Sequence, residues 1–138
     1  MKNTRKVVIE MNIVISNATS EPIYFQIATQ IKREIMRGEL SSAEMLPSIR
    51  SLAKELRISV ITTKRAYEEL EREGFIETVP GKGSYVATQS NELLNEKKKK
   101  IIEDKIEIIV EESKLLGIEL EELIEMLKLI YIFSLLWW

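Results

Sequence analysis

The chain has 138 residues, 45% apolar and 30% charged, enough to bury a core and too mixed for a disordered tail or a membrane protein. It contains neither His nor Cys, which removes the usual general base, the thiol nucleophile, the commonest metal ligands and any disulfide framework. No pair of Asp or Glu stands apart from ordinary surface charge, so the composition argues against an enzyme and predicts no metal and no cofactor.

The first residues, Met1 to Lys6 followed by Val7-Val8-Ile9, begin like a signal peptide, but Glu10, Asn12 and Ser16 break the apolar run and no small-residue cleavage site follows. The reading is therefore a cytoplasmic protein, with Met11 offering a second translation start. Met11 to Ser16 is β-branched and predicts a short strand or arm within a segment 1–20. Pro22 then suits a first helical turn, and Ile23, Ile27, Ile31 and Ile35 recur every four residues until Gly38.

Ser48 is placed to cap a short second helix with Ile49, Leu52, Ala53 and Leu56 inward. Arg57-Ile58 forms a tight turn, and Ser59 caps a third helix that stops at Gly74 with Thr63, Ala66, Tyr67 and Leu70 on its inner face. Two extended runs, Phe75 to Val79 and Ser84 to Thr88, flank Pro80-Gly81-Lys82-Gly83 and predict a hairpin. Three helices and a hairpin within about 70 residues give a winged helix-turn-helix over 21–90. The fold class is thus mainly α with a small β-hairpin.

Beyond a polar stretch, Ser90 to Asn95, Lys97 to Lys100 opens a long helix with Ile102, Ile106, Ile109 and Val110 on one side. Gly117 interrupts it, and a last helix carries Leu120, Leu123, Ile124, Leu127, Ile130 and Tyr131 at spacings of three and four. Two short helices cannot bury such stripes alone, so 91–138 reads as a two-helix dimerisation element built on Ile106, Ile109, Leu120, Leu123, Ile124, Leu127 and Tyr131. The apolar end, Leu129 to Trp138, is far short of the roughly 20 residues a membrane helix needs. No membrane contact is expected.

The net charge of −2 speaks against nucleic acid until the chain is divided. Residues 50–67 hold five bases (Arg50, Lys54, Arg57, Lys64, Arg65) against one acid, Glu55. Local sign decides whether a surface can meet phosphates. The first turns of the third helix are free of acid: Ser59, Val60, Thr62, Lys64 and Arg65 can face DNA, and Val60 with Ile61 can touch a thymine methyl. Arg50 lies where the second helix would cross the backbone, and Gly81 and Lys82 sit at the tip of the wing. Ser59 also serves as a plain cap, Gly81 as plain turn geometry, and the Lys97 to Lys100 run as a solvated face.

In order along the chain, Pro22-Ile-Tyr-Phe-Gln-Ile, Gly38-Glu-Leu, Leu46-Pro-Ser-Ile-Arg-Ser-Leu-Ala, Ser59 to Tyr67, Leu70-Glu-Arg-Glu-Gly-Phe-Ile-Glu and Pro80-Gly-Lys-Gly-Ser-Tyr-Val resemble the N-terminal domain of the GntR family of bacterial regulators. The two-helix remainder looks like the small YtrA-type subfamily. The resemblance implies a homodimer on palindromic double-stranded operator DNA, usually a repressor and often of a transporter operon. It places DNA contacts at Arg50, Ser59, Thr62 and Lys64, with wing contacts at Gly81 and Lys82. Two positions depart from it: Val60 stands where the family often has Arg, and Ser42-Ala43 where it usually has Pro-Gly. A small-molecule effector is left unknown; Tyr131, Phe133, Trp137 and Trp138 suggest an aromatic site or, more simply, an aromatic dimer core. A winged-helix protein–protein module is the alternative from another class.

Overall fold

The structure, a computed structural model, describes residues 11–137. Its elements run α1 (Ile23–Met36), α2 (Ile49–Leu56), α3 (Val60–Arg72), β1 (Ile76–Val79), β2 (Gly83–Val86), α4 (Asn91–Leu115) and α5 (Leu120–Trp137). The described residues fall into two compact units, 11–91 and 92–137. Trp138 and the segment before Met11, including its basic residues, lie outside the described residues.

Met11 to Ser16 is an arm without strand pairing. Two glutamines one turn apart on α1 stand in for a neighbouring strand. Gln30 accepts from the Val14 N–H (2.9 Å) and donates to the Val14 carbonyl (2.7 Å). Gln26 accepts from the Ser16 N–H (2.8 Å) and donates to the Ser16 carbonyl (3.0 Å). Val14 and Ser16 thereby each satisfy both backbone groups, as a ladder would. Met11 packs into the core of the first unit.

The four-residue repeat in α1 buries Ile27, Ile31 and Ile35, with Ile23 half-buried at the end of the stripe. The helix closes in a Schellman arrangement: Glu39 N–H donates to Glu34 O (2.9 Å) and Gly38 N–H to Ile35 O (3.2 Å), with Gly38 left-handed at φ 77°. The loop beyond it is left-handed again at Ala43, φ 66°, where the resembling family usually places glycine. The turn therefore survives the substitution, at a backbone cost of roughly 1–2 kcal/mol.

That loop also does something its sequence did not suggest. Residues 43–46 lie along β2: Ala43 N–H donates to Val86 O (2.8 Å), Val86 N–H to Glu44 O (2.8 Å) and Leu46 N–H to Ser84 O (2.9 Å), with Met45 bridged to Tyr85. The hairpin, antiparallel with Ile76 opposite Val86 and Val79 opposite Gly83, is thus tied to the body on one edge. Its strands are shorter than the sequence predicts: Phe75 precedes β1, with its carbonyl accepting from the Ala87 N–H (2.9 Å), and Thr88 lies beyond β2.

Ser48 caps α2 through the Ser51 N–H (3.1 Å), and Leu52 and Ala53 are buried with Ile49 and Leu56 packed at the margin. Arg57 ends the helix left-handed at φ 56°, so that Ile58 N–H reaches back to Ala53 O (3.0 Å). This sharp stop turns α3 across α2. The inner face of α3 is Thr63, Ala66, Tyr67 and Leu70, all buried, packing on α1, α2 and β1.

Tyr67 donates its hydroxyl to Pro47 O (2.7 Å), pinning α3 to the entry of α2. Burial pushes this phenol well above its ordinary value of 10, so it stays a donor. Tyr67→Phe is expected to lose about 1–2 kcal/mol in urea unfolding, because the buried Pro47 carbonyl is left without its partner. The same change should flatten the alkaline limb. With a folded-state pKa above the unfolded one, the phenol's contribution is complete below pH 10 and declines as pH rises past it. A variant as stable and as alkali-sensitive as the parent would contradict this role.

α4 begins at Asn91, so all but the first residue of the polar stretch Ser90 to Asn95 is helical. Gly117, at φ 72°, ends the connection after α4, and α5 follows. Of all described side chains in the second unit, only Ser113 is buried, its hydroxyl donating to Ile109 O (2.7 Å).

Candidate nucleic-acid interface

With its inner face committed to the core, α3 turns the opposite face outward. A helix advances about 100° per residue, which sets Ile61, Arg65 and Glu68 opposite the buried Thr63–Leu70 stripe, with Lys64 beside them. Ile61 is 81% exposed and Val60 47%. Neither α2 nor α3 has an acid in its first turn, so the positive ends of both helix dipoles are left available to phosphate. The acids of α3 come later: Glu68 lies 3.9 Å from Lys64, and Glu69 pairs with Arg72.

Ser59 caps α3, accepting from the Thr62 N–H (3.1 Å) while its hydroxyl donates to Thr62 Oγ1 (2.8 Å). The two predicted hydroxyl contacts are therefore engaged with each other. Arg65 is also engaged. Its guanidinium stacks on the Tyr24 ring of α1, 3.9 Å from the centroid, and donates to the Tyr24 hydroxyl (3.3 Å). Tyr24 is the residue the sequence reading missed; the pairing spans 41 positions and leaves no local pattern. Arg50 is exposed on the first turn of α2.

The wing tip is built by its turn chemistry. Lys82 N–H donates to Val79 O (2.9 Å) across Pro80-Gly81, and Gly81 takes φ 75°. Proline second and glycine third is the type II pattern, so Gly81 has a conformational duty here. Lys82 is exposed, and its carbonyl accepts from the Tyr85 hydroxyl (3.3 Å). Gly83 sits at φ 122°, with the Met45 Cε only 2.9 Å from where a Cβ would stand.

In the second unit the predicted stripe is uncovered. Ile106, Ile109, Leu120, Ile124, Leu127 and Tyr131 are 40–66% exposed, and Leu123 is half-buried. Up to Lys128, α5 is two-sided, with Glu121, Glu122 and Glu125 opposite the leucines; from Leu129 it is apolar on every side except Ser134. Tyr131 and Phe133, two residues apart, leave the helix on nearly opposite sides, whereas Phe133 and Trp137, four apart, share one; Trp138 lies outside the described residues. Among the described residues no set of His, Cys, Asp or Glu could hold a metal ion, and no helix is long and apolar enough to cross a membrane.

Comparison with known proteins gives this arrangement its context. The bacterial regulatory proteins of the gntR family match residues 23–86. The HTH-type transcriptional repressor YtrA of Bacillus subtilis (strain 168) is 37% identical over 116 residues, covering 84% of this chain and 89% of that protein. An uncharacterized HTH-type transcriptional regulator of the same strain, YhcF, is 38% identical over 110 residues, 80% of this chain and 90% of its own. Among solved structures, a GntR family transcriptional regulator from Listeria monocytogenes superposes with a TM-score of 0.71 at 33% identity, over 83% of this chain and 97% of that one. These matches show that the chain is a DNA-binding transcriptional regulator, not an enzyme, and that it belongs to the GntR family in its YtrA-type group.

Proposed function

We propose that the chain acts in the cytoplasm as a homodimeric repressor, binding a palindromic operator with one α3 and one wing per half-site. The observation that carries this reading is the outward face of α3, whose first two turns present base and hydrocarbon and no acid. In this reading residues 21–90 bind DNA and 91–138 dimerise through the exposed stripes of α4 and α5, leaving 1–20 as an arm. Symmetry then sets two half-sites about one helical turn apart. Repression is supported by the name of the YtrA relative, and a transporter operon, the target the resemblance implies, is the first place to look for the operator.

Arg50 and Lys64 carry the phosphate and base-edge contacts, Ser59, Thr62 and Val60 shape the entry of α3, Arg65 steadies it from Tyr24, and Gly81 and Lys82 bring the wing to the backbone. Lys64→Ala is expected to cost ~1–3 kcal/mol of operator binding, and Arg50→Ala to weaken it as well. Fluorescence anisotropy on the operator checks both. Equal binding by both variants would remove these assignments. Binding that is weak and indifferent to sequence in the parent would favour a protein-interaction module held by α4 and α5.

A further inference from the structure

The outward side chains in the first two turns of α3 are not equally free to meet DNA. Ser59 and Thr62 bond each other, and Arg65 lies on Tyr24. Thr62 keeps its hydroxyl proton to donate; Val60, Ile61 and Lys64 remain, the last only loosely drawn to Glu68 at 3.9 Å. Ile61 is 81% exposed and stands opposite the buried stripe, so the outermost point of α3 is a branched hydrocarbon with Val60 at its flank.

A solvated helix face gains nothing from two adjacent β-branched residues. Each lowers helix propensity and leaves apolar surface in water. In the major groove the base edges are donors and acceptors that hydrocarbon would strip of water without pairing. The exception is the C5 methyl of thymine. Apolar contact is what Ile61 offers at the place where recognition helices meet base edges.

We propose that Ile61, flanked by Val60, is the specificity-determining residue of α3 and reads a thymine methyl in each half-site, with Lys64 supplying the neighbouring charged contact. This rests on α3 being the element that enters the groove, and it names what that element selects. An arginine at position 60 would bring a hydrogen-bonding fork instead; valine makes the tip of the helix apolar, so methyl contact replaces that option.

The test begins with duplexes selected from a random library by the whole chain. Each conserved thymine is then replaced by deoxyuridine, which keeps every hydrogen-bonding group and deletes only the methyl. At one thymine or two per half-site the parent should lose roughly three- to fivefold in affinity, the factor that burial of one methyl carries. At one of them Ile61→Ala should bind the thymine and uracil duplexes alike. The variant's thermal midpoint should match the parent's, since the side chain lies outside the core. Uracil duplexes bound as tightly as thymine ones, or full discrimination kept by Ile61→Ala, would overturn the inference while leaving operator binding intact. Selection that enriches no sequence at all would instead overturn the proposed function.

Discussion

Leu123→Glu combined with Leu127→Glu is expected to convert the proposed dimer into monomers and to lower operator affinity by ~10²–10⁴, the gain that linking two binding modules provides. The two leucines share one side of α5, one turn apart, and face away from Glu121, Glu122 and Glu125. Leu127 is 63% exposed and Leu123 half-buried in the single chain, so neither has a full complement of neighbours without a partner surface. Two carboxylates there would have to be desolvated unpaired for the helices to meet, which several kcal/mol of penalty per ion forbids. Sedimentation equilibrium gives the mass and anisotropy the affinity. The first unit holds its own core, so its helices should keep their circular dichroism through the change. A double variant that stays dimeric and binds normally would place the interface elsewhere.

The second large effect is expected inside the first unit. Leu70→Ala should destabilise it by about 2–5 kcal/mol, the cost of an emptied core site that relaxes only in part. Leu70 is fully buried, the last of the four inner residues of α3, and that helix packs on α1, α2 and β1 at once. A cavity there loosens the element that presents Ile61 and Lys64 as well as the hydrophobic cluster. Against a typical domain stability of about 5–15 kcal/mol, operator binding should weaken along with the urea midpoint. A variant unfolding within about half a kcal/mol of the parent, inside the range of surface substitutions, would mean that Leu70 is not a keystone of the packing.

Much of this architecture is legible in local spacing. The inner face of α3 follows from residues three and four apart, and Thr63, Ala66, Tyr67 and Leu70 are the four it buries. Ser48 and Ser59 cap as their positions announce, and Pro80-Gly81 dictates its turn. What the pattern did not reveal is pairing between distant segments. The edge at 43–46 is a loop by composition and becomes strand-like only because β2 offers its backbone groups. Gln26 and Gln30 read as ordinary polar positions on α1, yet they hold the arm in place. Arg65 is a basic residue in a basic stretch, and only the fold brings Tyr24 beneath it.

The start of α4 was missed for a different reason: Asn91 to Asn95 has no apolar period, and helix there is set by continuity with the segment that follows. At the end of α5, Tyr131 and Phe133 are close in sequence but leave the helix on different sides, while Phe133 and Trp137 share one. At the interface itself, the residue types pointed to DNA from the start. The structure adds which of them are already occupied, and that shifts the weight from the Ser59–Thr62 hydroxyls toward Ile61 and Lys64.

The central claim is sequence-specific binding by paired α3 helices, and a footprint on the DNA upstream of the chain's own gene tests it most directly. Two protected half-sites about one helical turn apart are expected, with protection weakened by Lys64→Ala. An unprotected promoter, with the chain holding any duplex equally well, would contradict it.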